Sequence, residues 1–128
     1  MYKLTDNLDL DTIGIPPQTL NNTGANGTGI YLKDAVSVVA VCFMGTAHDS
    51  AVLAWHVEQG INLASYVDLA GYTGAHLGTA DNTIVQIEIP AFALSATYNS
   101  VRVVCTETAT QNALVSQTWV KNAKSKPA

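Results

Sequence analysis

Residues 83–89 alternate strictly. Val85, Ile87 and Ile89 fall on one side of an extended chain, Gln86 and Glu88 on the other, and Pro90 stops the run. A period of two marks a strand with one buried face, and proline ends it because it has no N–H to give the ladder. The same period places Leu53, Trp55 and Val57 opposite His56 and Glu58 in residues 51–59, and Val101, Val103 and Cys105 opposite Arg102 in residues 98–106. Residues 35–44 (AVSVVAVCFM) are nearly all apolar and valine-rich, as expected of a central strand covered on both faces. Shorter strands are expected at 30–32 and 66–69, and a last one at 114–121. No stretch of helical length repeats its apolar residues every 3.6 positions.

Seven or eight short strands separated by turn signals define an all-β chain: one antiparallel β-sandwich or jelly roll. Its expected core is Val38, Val41, Trp55, Val57, Val85, Ile87, Val101, Val103 and Trp119. Residues 71–82, with three glycines and no apolar period, read as a surface loop. Residues 91–96 read as a crossing with room for one helical turn, and residues 108–112 as a polar, hairpin-like turn.

The first 29 residues differ. An acidic stretch with isolated leucines leads to Pro16-Pro17, which forces an extended course, and residues 21–29 (NNTGANGTG) are a run of turn formers. The expected division is an extended N-terminal arm with a flexible lead-in over 1–29, a sandwich over 30–121 and a basic tail over 122–128. Such an arm gains order by lying along its own sandwich, as a first edge strand, or along a neighbouring molecule.

With 128 residues the chain is one domain. Charged residues make up only 12% of it, against roughly 25% in ordinary soluble domains. A surface of small neutral polar groups loses little side-chain entropy when covered, which suits an exterior occupied by neighbours. The net charge of −4 argues against nucleic acid, whose phosphates call for a basic face. No run of residues is long and apolar enough for a membrane helix, and no signal peptide is expected, so synthesis in a cytoplasm is expected. Cys42 and Cys105 lie inside apolar runs and read as buried free thiols.

The motifs of catalysis are missing. His56-Val57-Glu58 shares the H-x-E of zinc deaminases but has no C-x-x-C partner, and reads as an outward-facing strand pair. Asp9 and Asp11 lack the further ligands of a calcium loop. There is no G-x-S-x-G elbow and no phosphate loop. Glu58, Glu88 and Glu107 are acidic, but nothing in their spacing selects a pair for sugar hydrolysis. The expectation is a protein that is not an enzyme and needs neither cofactor nor metal.

The Asn/Thr/Gly-rich lead-in of residues 18–29, the valine strand 36–43, the strand 52–59 leading to Tyr66-Val67-Asp68-Leu69, and Tyr98-x-x-Val101-Arg102-Val103-x-x-Thr106-x-Thr108 before a final strand form a recognisable order. It resembles the small virion structural proteins of tailed bacteriophage heads, in particular capsid decoration (cement) proteins. The likeness covers residues 18–121. Relatives carry an arginine and a proline soon after the last strand, whereas here residues 121–128 are a lysine-rich tail with Pro127. The resemblance implies a homotrimer bound to the major capsid protein on the outside of an assembled shell, between capsomers. Candidate interface residues are Leu8, Leu10, Ile13 and Ile15 on the arm, Arg102 on a strand, and Lys121 and Lys124 in the tail. Other readings of the same sandwich are a carbohydrate- or receptor-binding module, with Tyr31, Tyr66 and Tyr72 as possible platforms, and a tail or neck component.

Overall fold

The computed structural model describes residues 8–33 and 35–123, with the side chains of residues 8–12 and 123 outside the description. The chain is an all-β sandwich of two antiparallel sheets. In chain order the strands are β1 (Leu8–Leu20), β2 (Gly24–Asn26), β3 (Ile30–Tyr31), β4 (Ala35–Ala47), β5 (Val52–Ile61), β6 (Ala64–Leu77), β7 (Thr83–Pro90), β8 (Ser100–Glu107) and β9 (Ala113–Ala123), with one 3-10 turn at Ala91–Ala93. One sheet runs β1-β9-β4-β7. The other runs β2-β8-β5-β6, with β3 also on β8. No helix among the described residues is long and apolar enough to cross a membrane.

The alternation seen in the sequence is the alternation of burial. Leu53, Trp55 and Val57 on β5, Val101, Val103 and Cys105 on β8, and Ile87 and Ile89 on β7 all face inward. Trp119 closes the core from β9, and its indole N–H donates to the Thr28 carbonyl at 3.3 Å. Trp55 is equally enclosed and donates to His76 Nδ1 at 2.9 Å. Burial holds that imidazole below its usual range, so it stays a neutral acceptor. Cys42 and Cys105 are buried and free, and burial pushes the Cys42 thiol up to about 12.

Several expectations are corrected. Strand β4 is not covered on both faces: Val38, Ala40, Cys42 and Met44 point into the core, while Val41 is half-buried on the outer face. Val85 is half-buried at the edge of the core. Residues 71–77 continue β6 rather than forming a loop. The pairing jumps from Glu58↔Asp68 to His56↔Thr73, so β6 bulges between these points, and Gly71 there has φ +91°. Glycines and small polar residues hid a strand whose pairing with β5 supplies the order that its own pattern lacks. The 108–112 turn is not a hairpin, because β8 and β9 belong to different sheets.

The lead-in lies on its own domain. β1 pairs with β9 from Leu8↔Asn122 to Leu20↔Ala113, with register shifts between Leu10 and Ile13, between Ile13 and Ile15, and between Ile15 and Gln18. An irregular edge strand is where Pro16-Pro17 can sit without breaking a ladder. Residues 21–29 then cross to the other sheet and are pinned there rather than loose. Gly27 N–H donates to the Val103 carbonyl at 2.7 Å and Thr28 N–H to the Gly14 carbonyl at 2.8 Å. A Cβ on Gly27 would meet the Val103 carbonyl at 2.8 Å, so only glycine allows this approach.

Candidate functional site

The strand directions give the sandwich two unlike ends. At one end β1 leads to β2, β4 to β5, β6 to β7 and β8 to β9, four arches that each switch sheets. Glu107, at the end of β8, is fully buried among them. Its carboxylate accepts backbone N–H groups from Asn22 (2.9 Å), Val52 (3.0 Å), Ala109 (3.0 Å) and Gln111 (3.1 Å), joining three of the four arches. Burial alone would push this carboxyl up, but the four donors outweigh it and hold the group at about 2. Asp81 Oδ1 accepts the Ala47 N–H at 3.1 Å and ties in the fourth arch. Sequence reasoning placed Glu107 among dispersed acidic residues. Only the fold shows it as a carboxylate held ionised for structure.

The opposite end holds the start of β4, β6 and β8, the finish of β5, β7 and β9, and strand β3. It is apolar. Among the described residues, Tyr31, Val36, Ile61, Leu63, Val67 and Phe92 are six of the ten large hydrophobic residues left exposed, and Phe92 is 89% exposed. The β5–β6 hairpin projects here on Asn62 (φ 53°) and Leu63 (φ 61°). Two positive φ angles are what a tight two-residue hairpin requires, but branched side chains tolerate them poorly. The tip is held by Asn62 N–H to Asn99 Oδ1 (2.8 Å) and Leu63 N–H to Ser100 Oγ (3.1 Å). Beside it runs a groove of about 500 Å³ whose lining includes Tyr31, Leu32, Ala91, Leu94 and Tyr98. Phe92 sits next to it on the 3-10 turn, a segment whose sequence carries no strand or helix period to announce it.

The sequence-predicted interface residues do not gather in one place. Leu8 and Leu10 pair through their backbones with Asn122 and Val120, Leu8 being at the apolar end. Ile13 is 57% exposed on the outer side of β1. Ile15 is fully buried and packs in the core, so it offers nothing to a partner. Lys121 is half-buried near the apolar end, opposite Asp9 and Val38, and Lys124 lies outside the described residues.

Arg102 is engaged within the molecule. It donates through Nε to Glu58 Oε1 at 2.7 Å and lies over the Tyr66 ring, 4.2 Å from its centre. Burial pushes Glu58 up, yet Arg102 and His56 outweigh it and hold the carboxyl below the usual range. His56 Nε2 stands 3.4 Å from Glu58 Oε2 and 3.5 Å from Asp68 Oδ1. Of the candidate sugar platforms, Tyr66 is taken by Arg102, Tyr72 packs against the core, and Tyr31 lines the groove.

No protein-family model matches the sequence, and no curated protein does. Among solved structures, the chain superposes on one from the structure of infectious bursal disease virus, Gx strain. The match covers 91% of this chain and 32% of that one, with a TM-score of 0.52 and 11% identity. A chain from the Gt strain structure matches over 89% and 31%, with a TM-score of 0.50 and 11% identity. This chain thus spans about a third of the length of the chains it matches. What is shared at this identity is the fold, an all-β sandwich.

Proposed function

We propose that this chain is a virion structural protein of the decoration or cement type, which docks through its apolar end onto the outer surface of an assembled capsid. The observation that carries the reading is the fold likeness, over nine-tenths of the chain, to chains from structures of a virus particle. The surface supports it. Among the described residues, six of the ten exposed large hydrophobics lie at one end, where burial against a protein removes apolar area at roughly 25 cal/mol per Å² and few charges need be stripped of water. A protein that binds only the assembled shell stabilises it by mass action, about 2.7 kcal/mol per site at a hundred times the dissociation constant. The partner is the major capsid protein, the free form is a homotrimer, no chemistry is performed, and Lys121 and the start of β1 border the contact.

The structure changes how this is tested. Deleting residues 1–29 would strip out β1, β2 and the buried Ile15 and Leu20, so it would unfold the domain rather than free it from the shell. The informative variant is Phe92→Ser combined with Val67→Ser, both exposed. Co-sedimentation with assembled shells and with unassembled shell subunits from the same virus is expected to show binding to shells alone, lost in the double variant. Binding that the double variant retains, or equal binding to loose subunits, overturns the reading.

One observation favours a second reading, a glycan- or receptor-binding module: Tyr31 is 41% exposed and lines the groove. Sugar sites use such aromatic faces. Glycan-array binding that disappears in Tyr31→Ala would select it over capsid docking.

A further inference from the structure

On the outer face of the β2-β8-β5-β6 sheet, Glu58 and Asp68 stand directly opposite each other in the β5–β6 ladder. Like charges in that position repel unless something positive lies between them. Arg102 serves only part of this need: its Nε bonds Glu58 Oε1 at 2.7 Å, leaving Oε2 turned toward His56. His56, two residues before Glu58, projects from the same face, and its Nε2 lies between the two carboxylates at 3.4 and 3.5 Å. All three donor atoms lie within 4.8 Å of one another.

These separations suit a metal ion. With bonds of about 2.0–2.1 Å, tetrahedral zinc holds its ligand atoms about 3.4 Å apart. Both distances from Nε2 already match that value. The third edge closes by a small rotation of Asp68, whose side chain is 81% exposed and free to turn. The β6 bulge makes the site possible, since it brings Asp68 across from Glu58 while Thr73 faces His56. Arg102, held over Tyr66, fixes Glu58 with one oxygen presented, as an outer-shell partner does for a metal-ligating carboxylate.

We propose that His56, Glu58 and Asp68 form a binding site for a divalent transition metal, zinc being the best fit to one imidazole and two carboxylates. The fourth position faces solvent, open to water or to a donor from another molecule. The H-x-E pair alone did not indicate such a site. Asp68 completes it from the expected strand at 66–69, and its place opposite Glu58 is a matter of register that the sequence does not encode.

The test is a titration of the untagged chain with Co²⁺, followed by visible absorption, and with Zn²⁺ in competition with a chromophoric chelator. One equivalent should bind with the absorption of a four-coordinate site. His56→Ala and Asp68→Asn should each weaken binding at least about tenfold, the loss that even an outer-shell defect causes. His48→Ala, altering an exposed turn histidine, should change nothing. Far-ultraviolet dichroism checks folding, and the exposed Asp68 keeps the test open if His56→Ala misfolds. Absence of saturable binding, binding that survives Asp68→Asn, or binding that depends on His48 overturns the proposal.

Discussion

The two ends of the sandwich solve the same problem by different means. Both must turn strands around and cover the edges of the core. At the arch end the backbone groups that the turns leave unpaired are gathered by buried or local polar side chains: Glu107 takes four of them, Asp81 one, and His48 Nδ1 accepts the Ser50 N–H at 3.0 Å. At the hairpin end Asn99 pairs with Asn62, and Gln59 with Ser95, but apolar side chains surround these bonds and stand in water. Both ends are closed in hydrogen bonds, and the arch end still exposes Leu77, Ile84 and Leu114. Among the described residues the hairpin end exposes six large hydrophobics against these three, a difference of degree that is expected if it is the end that docks.

The largest effect that tests this contrast is at Glu107. Replacing it by alanine leaves four backbone donors of part-buried hydrogen bonds without their acceptor, at about 1–3 kcal/mol for each that stays unsatisfied. Partial hydration and relaxation bring the expected loss to about 3–4 kcal/mol, read as a lower midpoint in urea. A loss under about 1 kcal/mol would show that the arches hold without it, and the contrast between the ends would fail.

The same residue should govern acid stability. The folded carboxyl sits near 2, below its ordinary value of 4.5. A depressed folded pKa means that the unfolded chain binds the proton more readily. The stabilisation is therefore full above about 4.5 and is lost as the pH falls from there through about 2. Melting temperatures of the wild type and of Glu107→Gln, measured across this range, should converge as the pH drops. A gap that stays constant down to pH ~2 would separate the residue's charge from its structural role.

How much of this was legible follows from where each signal resides. The inward faces of β5, β7 and β8 were readable because burial imposes a period of two on Leu53-x-Trp55-x-Val57, Val85-x-Ile87-x-Ile89 and Val101-x-Val103-x-Cys105. The second half of β6 was not, and β1 was readable only as one of two courses for the arm. Pro16-Pro17 and the glycines from Gly71 onward have weak strand preferences, and each strand forms because a partner, β9 or β5, supplies the ladder. The sites were less legible still. Glu107 joins residues 85 positions apart, at Asn22, and 55 apart, at Val52. The metal-site candidate needs Asp68 across from Glu58, a register no local pattern encodes. At the hairpin end no sequence pattern singles out Phe92 and Leu63, and only exposure distinguishes them.

Two smaller effects probe the hairpin end itself. A branched residue at positive φ costs about 1–2 kcal/mol, whereas asparagine adopts this conformation with less strain. Leu63→Asn should therefore raise stability by about 0.5 kcal/mol, even after the side chain's packing near Gly29 is lost. A clear destabilisation would mean that Leu63 is there for the fold.

Phe92→Ser gives the smallest effect on stability and the sharpest reading of purpose. At 89% exposure the ring buries almost nothing within the domain, so its removal should shift stability by less than about 0.5 kcal/mol. An aromatic ring in water adds little to a monomer and gives it a place to stick, so its position beside the groove makes sense if something covers it. Solubility sharpens the point. If the ring is an unsatisfied docking group, Phe92→Ser should weaken self-association at high protein concentration, measured by light scattering, while the melting temperature stays put. A variant that melts lower without dissociating would place Phe92 with the core, and the apolar end would then be no more a docking surface than the end Glu107 closes.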